Sequence, residues 1–294
     1  MEDAAAIPTA LLAVDAHAHV LKRDLPLVAN RHSAPKRDAS VEEYIALLDE
    51  NGVSHGLLTA PSFYGSDNSL LTASLRKFPQ RLRGSAIVDT EIADDALNAL
   101  DVAGVIGMRL NWFRRDVLPD YAATDYRRLF ERVRALEWHV EIYLEGAKLA
   151  AVLPKLRAYG VRVVVDHFGS PDPSRGVRCS GFQAVLEGVR AGDTWVKLSA
   201  PYRLGGADPQ TYVDALLAAG PQQLVWATDW PFVGFEDAIT YRQCVQWLRE
   251  WIPEAVTRRI ILADTPARLF GFEDGGGAIT SATCSSKVEE RKST

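Results

Sequence analysis

Eight short apolar segments, each followed by a longer helix-like segment, form the pattern that most constrains the fold of this chain. The segments lack the strict apolar–polar alternation of half-exposed strands, which favours parallel strands buried on both faces. Eight such strands alternating with helices predict an α/β fold, a distorted (β/α)8 TIM barrel. The predicted strands are Leu11–His19, Val53–Pro61, Leu82–Val88, Gly104–Leu110, His139–Leu144, Val161–His167, Thr194–Ser199 and Leu224–Thr228.

A doubly wound open sheet is the alternative α/β fold for this pattern. Neither a Gly-x-Gly-x-x-Gly turn nor a Walker-type loop follows any of the apolar segments, so the barrel is favoured. The connecting segments carry helix signals: Ser40–Glu43 forms a capping box, and Gly52 is a stop signal. Two further helices are predicted at Gln210–Ala219 and Glu236–Trp251.

The chain has 294 residues, 47% of them hydrophobic, which is sufficient for one large core. We predict a single barrel domain over residues 1–272. The tail from Glu273 to Thr294 is rich in Gly, Ser, Thr, Lys and Glu, and is expected to be disordered. The polar segment Lys22–Ala39 is long for a barrel connection. Because it follows the first strand, we predict that it forms a lid over the barrel mouth.

The net charge of −5 provides no basic surplus for binding nucleic acid or an anionic membrane. No apolar run is long enough to span a membrane, and the first six residues contain no Lys or Arg, so no signal peptide is expected. Cys179, Cys244 and Cys284 lie far apart, without zinc or redox spacing, which fits a reducing compartment. We expect a cytoplasmic protein that acts on a small molecule, with no oligomeric state specified by the sequence.

Three histidines and one aspartate stand where predicted strands end. His17 and His19 close the first strand two residues apart, so their side chains point to the same side. His167 ends the sixth strand, and Asp229 follows the eighth. Because active sites of such barrels lie at the carboxyl ends of the strands, these side chains are predicted to share one site. Convergent imidazoles can polarise an oxygen or hold a metal.

Other polar residues occupy equivalent positions. The candidates are Ser62 after strand two, Arg109 and Arg115 after strand four, Tyr143 near the end of strand five, and Arg203 after strand seven. An arginine at a strand end can instead pair with a neighbouring carboxylate, and this alternative stays open for all three. His55 and His139 stand at strand starts, where a structural role is expected. His32 lies in the predicted lid, and either role is open for it.

The positions of His17, His19, His167 and Asp229 resemble those of the amidohydrolase superfamily over about residues 11–272. Many members of that superfamily are zinc hydrolases. If a metal is bound, the resemblance implies that His17, His19 and Asp229 are its ligands. This chain departs from the zinc pattern, because strand four ends in Arg109 rather than a carboxylated lysine. A cationic side chain there repels a metal ion, so we expect no cofactor, with zinc as the alternative.

These departures are similar to one branch of the superfamily, that of 2-pyrone-4,6-dicarboxylate lactonase and related lactone hydrolases, which act without a metal. The matching motifs are Val14-Asp15-Ala16-His17-Ala18-His19, Pro61-Ser62-Phe63-Tyr64-Gly65-Ser66-Asp67-Asn68, Arg109-Leu110-Asn111, Val165-Asp166-His167-Phe168-Gly169, Lys197-Leu198-Ser199-Ala200-Pro201-Tyr202-Arg203 and Thr228-Asp229-Trp230-Pro231. The resemblance implies a hydrolase that opens a small, carboxylated lactone similar to 2-pyrone-4,6-dicarboxylate.

The same resemblance implies roles for the candidate residues. Asp229 takes a proton from water, while the three strand-end histidines polarise the lactone carbonyl. The three arginines bind substrate carboxylates through paired hydrogen bonds, helped by Ser62 and Tyr143.

The branch often carries a histidine directly after Trp-Pro, where this chain has Phe232, so the exact lactone stays open. Three alternatives remain. The first is a zinc-dependent amidohydrolase or decarboxylase, and the second is a sugar-lactone hydrolase or isomerase. The third is a catalytically inactive barrel that binds a small acid.

Overall fold

Eight parallel strands form the centre of the molecule in this computed structural model, which describes residues 13–29 and 31–272. They pair in sequence order: β1 (Val14–Ala18), β2 (His55–Thr59), β3 (Leu82–Ala86), β4 (Val105–Asn111), β5 (His139–Tyr143), β6 (Arg162–Val165), β7 (Thr194–Leu198) and β8 (Leu224–Trp226). Just beyond β8, a parallel bridge joins Ala18 to Trp230, and the amide of Asp229 donates to the carbonyl of His17 at 2.9 Å. These contacts complete the circle.

Helices surround the strands on the outside. They are α1 (Val41–Glu50), α2 (Ser69–Lys77), α3 (Asp94–Val102), α4 (Thr124–Ala135), α5 (Gly146–Ala158), α6 (Ser180–Ala191), α7 (Pro209–Ala219), α8 (Tyr241–Trp251), α9 (Ala255–Arg259) and α10 (Thr265–Phe270). The Ser40 hydroxyl accepts from the amide of Glu43 at the start of α1, as the capping box predicts. One apolar stripe of each long helix packs on the strands, as with Leu129, Phe130 and Val133 of α4.

The predicted barrel is confirmed, and the doubly wound sheet is wrong because the strand order never reverses. The predicted strands overlap all eight observed ones, although Leu11 and Leu12 lie outside the described residues. Most predicted strands run one or two residues too far at the carboxyl end. There the chain leaves the sheet, with positive φ angles of 48° at His167 and 66° at Asp229.

The helix predicted at Glu236–Trp251 is wrong over its first five residues. The side chain of Thr240 accepts from the amide of Gln243, so the helix starts at Tyr241. The helix predicted at Gln210–Ala219 is confirmed, with Asp208 as its N-cap.

The segment Lys22–Ala39 follows β1 without forming a helix or a strand of its own in its described part, which excludes Asn30. Paired backbone bonds between Leu21 and Ala39 bring its two ends together. Its movement as a lid stays a prediction. The tail Glu273–Thr294 and Cys284 lie outside the described residues, whereas Cys179 and Cys244 are buried free thiols. Within the described ranges, no helix is long and apolar enough to cross a membrane.

Candidate active site

The histidine pair of β1 points into the barrel at its carboxyl end. The Nε2 atoms of His17 and His19 lie 3.2 Å apart, and the two rings are nearly perpendicular. Both side chains are buried, as are their strand neighbours. The alternation of side chains along a strand brings residues two apart to one face, which produces this geometry.

Asp229 lies opposite the histidines. Its Oδ1 atom is 3.6 Å from His17 Nε2, 3.5 Å from His19 Nε2 and 3.8 Å from His167 Nε2. The structure therefore brings together the four residues that the strand-end rule selected, from β1 and the segments after β6 and β8. Asp229 and His167 both have left-handed backbone conformations, which are strained for such residues and cluster at functional sites.

The other oxygen of Asp229 is held by the segment after β7. Arg203 donates to Oδ2 from Nε at 2.9 Å and pairs with it through Nη2 at 2.8 Å, and the Tyr202 hydroxyl donates at 3.0 Å. Burial is the largest single effect and raises the pKa of Asp229, but the Arg203 guanidinium together with His167, His19 and His17 outweighs it, so the pKa lies well below its usual range. Asp229 is thus an ionised carboxylate with one oxygen committed and one facing the histidines.

Hydrogen-bond partners indicate where the histidine protons lie. His19 Nδ1 is 2.6 Å from the carbonyl oxygen of Thr59, which only accepts, so His19 carries a proton on Nδ1. A neutral His19 then has a lone pair on Nε2. His167 Nδ1 is 2.8 Å from the Ser199 hydroxyl, which can donate to it and leave the His167 proton on Nε2.

Burial keeps the imidazoles of His17 and His167 neutral. Desolvation lowers the pKa of His17 to about 4 and that of His167 to about 3. For His17, the nearby Lys197 ammonium acts in the same direction, while Asp166 opposes it. These two rings are therefore hydrogen-bonding groups at neutral pH rather than positive charges.

A buried ionic network forms the floor of the site. Lys197 Nζ lies 2.6 Å from Glu141 Oε2, 2.9 Å from His17 Nδ1 and 3.2 Å from Asp166 Oδ1. Arg109 Nη2 donates to Asp166 Oδ2 at 3.0 Å, and its Nε is 3.2 Å from Glu141 Oε1. Burial raises the pKa values of Glu141 and Asp166, but the neighbouring cations lower them, to about 2 for Glu141.

The charges of the buried network and Asp229 with Arg203 sum to zero. Three buried carboxylates pair with three cations, which are Glu141, Asp166 and Asp229 with Lys197, Arg109 and Arg203. Buried charge is tolerated when it is paired, and every charged group of this set lies within 3.2 Å of an opposite charge.

The reaction cavity, about 390 Å³ in volume, opens above this network. Its lining includes Ser62, Arg109, Tyr143 and Arg203 from the predicted set, together with His19, His167 and Asp229. The Tyr143 ring stacks on Phe113 at 4.4 Å, and desolvation raises its pKa to about 12. His32, Ser33, Ala34 and Lys36 of the predicted lid also line this cavity.

Arg115 is the predicted site residue that the structure places elsewhere. The chain turns sharply after β4, where Arg114 has a φ of 60°, and the amide of Arg115 bonds back to the carbonyl of Trp112. Arg115 is exposed and lines a neighbouring side cavity of about 510 Å³. Arg114, which the sequence reasoning passed over, lines both cavities.

Arg109 lines the reaction cavity but is held mainly by protein groups. Its guanidinium bonds the carbonyl oxygen of Ala60 and pairs with Glu141 and Asp166, so it is largely committed within the protein. The alternative of pairing with neighbouring carboxylates therefore describes Arg109 in this structure. Arg203 likewise pairs with Asp229, although 23% of its side chain is exposed.

Four residues that complete the site were not selected from the sequence, namely Lys197, Glu141, Asp166 and Tyr202. A signal existed for the first two, since each is a charged residue inside an apolar strand, two positions before an inward-facing site residue.

His55 and His139 lie at the other end of the barrel, as expected. Phe232 is buried, at 5% exposure, and does not line the reaction cavity within the described residues.

Fold and site together define an amidohydrolase-type barrel, with a His-x-His pair at β1, a histidine after β6 and an aspartate after β8. The amidohydrolase family model matches residues 14–272, and the chain belongs to this family. The predicted amidohydrolase family is confirmed, and so is the prediction that its members are enzymes of the hydrolase class.

Similar proteins include lactone hydrolases. The chain is 31% identical to the 2-pyrone-4,6-dicarboxylate hydrolase of Comamonas testosteroni over 280 residues, covering 89% of this chain and 91% of that protein. It is 27% identical to a 4-sulfomuconolactone hydrolase of Rhizobium radiobacter over 271 residues, covering 87% and 89% respectively. A crystal structure from Acinetobacter baumannii, assigned as a 2-pyrone-4,6-dicarboxylic acid hydrolase with citric acid bound, superposes with a TM-score of 0.82. Its identity is 31%, over 89% of this chain and all of that one.

More distant barrels contain metals. Structures with bound zinc and with bound manganese share the fold at 18% and 17% identity. In this chain, one potential ligand atom each from His17, His19 and Asp229 lies close enough to the others to hold one ion.

Proposed function

We propose that this protein hydrolyses the ring ester of a small, carboxylated lactone similar to 2-pyrone-4,6-dicarboxylate. Asp229 activates the water, and no metal takes part. The arrangement of Asp229 carries the proposal: Arg203 and Tyr202 hold Oδ2, while Oδ1 faces the Nε2 atoms of His17, His19 and His167 at 3.5 to 3.8 Å. A fixed carboxylate with one available oxygen is the group that a water nucleophile requires.

Water is held by two acceptors in this scheme. Asp229 Oδ1 and the lone pair of His19 Nε2 lie 3.5 Å apart, so both can accept from one water molecule. As the water oxygen bonds to the lactone carbonyl carbon, its proton passes to Asp229. This role for His19 replaces the carbonyl polarisation expected from the sequence, because a neutral His19 has no proton on Nε2.

The carbonyl oxygen receives hydrogen bonds from His17 and His167. His167 lines the cavity and can present Nε2–H to it, while the fully buried His17 directs Nε2 toward His19 and Asp229 of the cavity wall. Each such donor is worth about 2.7–4 kcal/mol in the transition state. The ring C–O bond then breaks, and the leaving oxygen takes the proton from Asp229. An enolic leaving group, as in a pyrone, is already stabilised, so collapse of the intermediate needs no Lewis acid.

Several cationic groups at the cavity suit an anionic substrate. Arg203, Arg114 and Lys36 line it, with Arg203 paired to Asp229 and Lys36 to Glu236. Guanidinium groups bind carboxylates through two parallel hydrogen bonds, and the exposed Arg114 is placed to do so. The names of the relatives support this class of substrate, since two are hydrolases of carboxylated or sulfonated lactones. Citric acid in the Acinetobacter baumannii protein supports it further.

The charges of the site oppose a resident divalent ion, although the spacing of three donor atoms suits one. Three carboxylates are already neutralised by three cations, so an added dication finds no net negative charge to attract it. Lys197 also faces His17 Nδ1, the position where metal-binding histidines normally donate to a carboxylate or carbonyl.

The zinc-dependent alternative deserves its own test because the donor spacing favours it. Protein treated with chelator and checked for residual metal should hydrolyse a lactone panel that includes 2-pyrone-4,6-dicarboxylate, in a pH-indicator assay. Activity that disappears with the metal and returns with zinc would establish the alternative.

Asp229→Asn tests the proposed base. General-base assistance is worth about 10²- to 10⁴-fold, so kcat should fall by this factor while the protein stays folded. Asp237→Asn is the matched control, since Asp237 is exposed on the same segment after β8. Turnover of the Asp229 variant within tenfold of the wild type would refute the assignment.

A further inference from the structure

Lys197 is a buried cation that the proposed reaction does not use directly. It lies on β7 with no exposed side-chain surface and does not line the reaction cavity. We propose that Lys197 is a positioning residue: it fixes His17 in the tautomer with its proton on Nε2, and it thereby keeps divalent metals out of the site. The inference rests on the proposed lactone hydrolysis for its catalytic part only.

Counting donors supports this role. An ammonium group has three N–H donors and no acceptor, and three acceptors surround it at 2.6, 2.9 and 3.2 Å. One of the three is Nδ1 of His17, 2.9 Å away and closer than Asp166 Oδ1 at 3.2 Å, and it accepts from the ammonium when it is unprotonated. The neutral ring then carries its proton on Nε2, the atom that faces His19 and Asp229.

The resulting hydrogen bonds run in one direction. Lys197 donates to His17 Nδ1, His17 Nε2 donates to His19 Nε2 at 3.2 Å, and His19 Nδ1 donates to the Thr59 carbonyl at 2.6 Å. The two ends of this chain are fixed, one by an ammonium that only donates and one by a carbonyl that only accepts. A substrate carbonyl that displaces the His17–His19 bond therefore meets an N–H group.

The opposite tautomer is available once the lysine is removed. Asp166 Oδ1 lies 3.2 Å from His17 Nδ1 and can accept a proton from it. His17 Nε2 would then present a lone pair beside the lone pair of His19 and the carboxylate of Asp229. A carboxylate–histidine pair with its outer nitrogen free is the usual arrangement around a bound zinc ion.

The change in charge on removal of Lys197 favours metal binding, as the change in tautomer does. Removing Lys197 leaves Glu141 and Asp166 with Arg109 alone, so the buried site gains a net negative charge. The double variant Lys197→Met/Glu141→Gln restores neutrality but still lacks the donor to His17. It separates the two effects, and it protects the test against failure of the single variant to fold.

The experiment compares wild type, Lys197→Met, the double variant and Lys197→Arg. Lys148→Met is the control, since Lys148 lies on α5 near the surface. Nitrogen-15 NMR of histidine-labelled protein, with His17 assigned through His17→Gln, reports the tautomer. Titration calorimetry with zinc chloride reports metal affinity, and lactone hydrolysis is measured on metal-free protein.

We expect the His17 proton to move from Nε2 to Nδ1 in Lys197→Met and in the double variant. Loss of one oxyanion donor should lower kcat about 10²- to 10³-fold, with KM nearly unchanged because Lys197 does not touch the cavity. Zinc affinity should rise at least tenfold in Lys197→Met, and Lys197→Arg should retain the wild-type tautomer.

An unchanged His17 tautomer in Lys197→Met and in the double variant would overturn the inference. Unchanged kcat and zinc affinity in Lys197→Met would overturn it as well. Failure of the proposed function gives a different result: no lactone is turned over by the wild type, while the tautomer and zinc affinity still change on removal of Lys197.

Discussion

Replacing Arg203 with methionine should move the acid limb of the pH–rate profile. The guanidinium contacts Asp229 Oδ2 at 2.8 and 2.9 Å, which places the charge centres about 4 Å apart. At an effective dielectric constant of about 20, this pair is worth about 4 kcal/mol, or about three pKa units. Because 23% of the Arg203 side chain is exposed, screening reduces the expected change to one to three units.

The direction in which the acid limb moves follows from the groups that still act on Asp229 in the variant. Without Arg203, burial raises the pKa of Asp229 and only the Tyr202 hydroxyl still holds Oδ2. In the wild type, the pKa of Asp229 lies well below its usual range, so the acid limb is set by protonation of His17 near pH 4. In Arg203→Met the pKa of Asp229 rises, so we expect protonation of Asp229 to set the limb, at a higher pH than in the wild type.

The assay is kcat/KM between pH 3.5 and 9 with an uncharged lactone, so that lost carboxylate binding does not alter the shape of the profile. Circular dichroism at each pH confirms that the variant is folded. Arg114→Met is the matched control, since it removes an arginine from the same cavity lining without touching Asp229. An acid limb of Arg203→Met that coincides with the wild-type limb would show that Asp229 is not the base, or that Arg203 does not set its charge state.

Three further predictions test the site and its support. Tyr202→Phe removes one hydrogen bond to Asp229, so kcat should fall about threefold to tenfold with a thermal melting temperature near that of the wild type. The free energy of unfolding in urea should fall by about 2–3 kcal/mol between pH 7 and pH 4.5 through His17 alone. The pKa of His17 drops from 6.5 to about 4 on folding, so the unfolded chain binds the proton first as the pH falls. His17→Gln should lose this part of the pH dependence. Gly181→Ala should lower the free energy of unfolding by 3 kcal/mol or more, because the new Cβ would lie 1.6 Å from the carbonyl oxygen of Gly146. A loss below about 1 kcal/mol would show that α5 and α6 can separate.

The barrel and its four central residues follow from local rules. Strand periodicity places His17 and His19 on one side, and the carboxyl-end rule adds His167 and Asp229. These rules need no knowledge of distant contacts, because parallel strands in sequence order bring all their ends to one rim.

The partners of the arginines could not be predicted in the same way. Whether Arg109 binds a substrate or a protein carboxylate depends on Glu141 of the adjacent strand β5 and on Asp166 after β6. It also depends on the register that places both carboxylates within 3.2 Å. Arg115 turns away through a local backbone feature, the positive φ of Arg114, that no sequence motif signals. Long-range pairing and loop conformation are thus the parts that the pattern of residues leaves open.

The neutral floor of the site restricts the reaction that it can perform. Without a Lewis acid, the oxyanion depends on hydrogen bonds from His17 and His167, at about 2.7–4 kcal/mol each. This is sufficient only where the leaving group is itself stabilised, because Asp229, with its lowered pKa, is a weak base and gives the attacking water little assistance. An enolic lactone meets that condition, whereas an alkyl lactone or an amide does not. We therefore expect kcat across the lactone panel to rise as the pKa of the leaving oxygen falls, and a panel in which alkyl and enolic lactones react equally fast would contradict a metal-free mechanism.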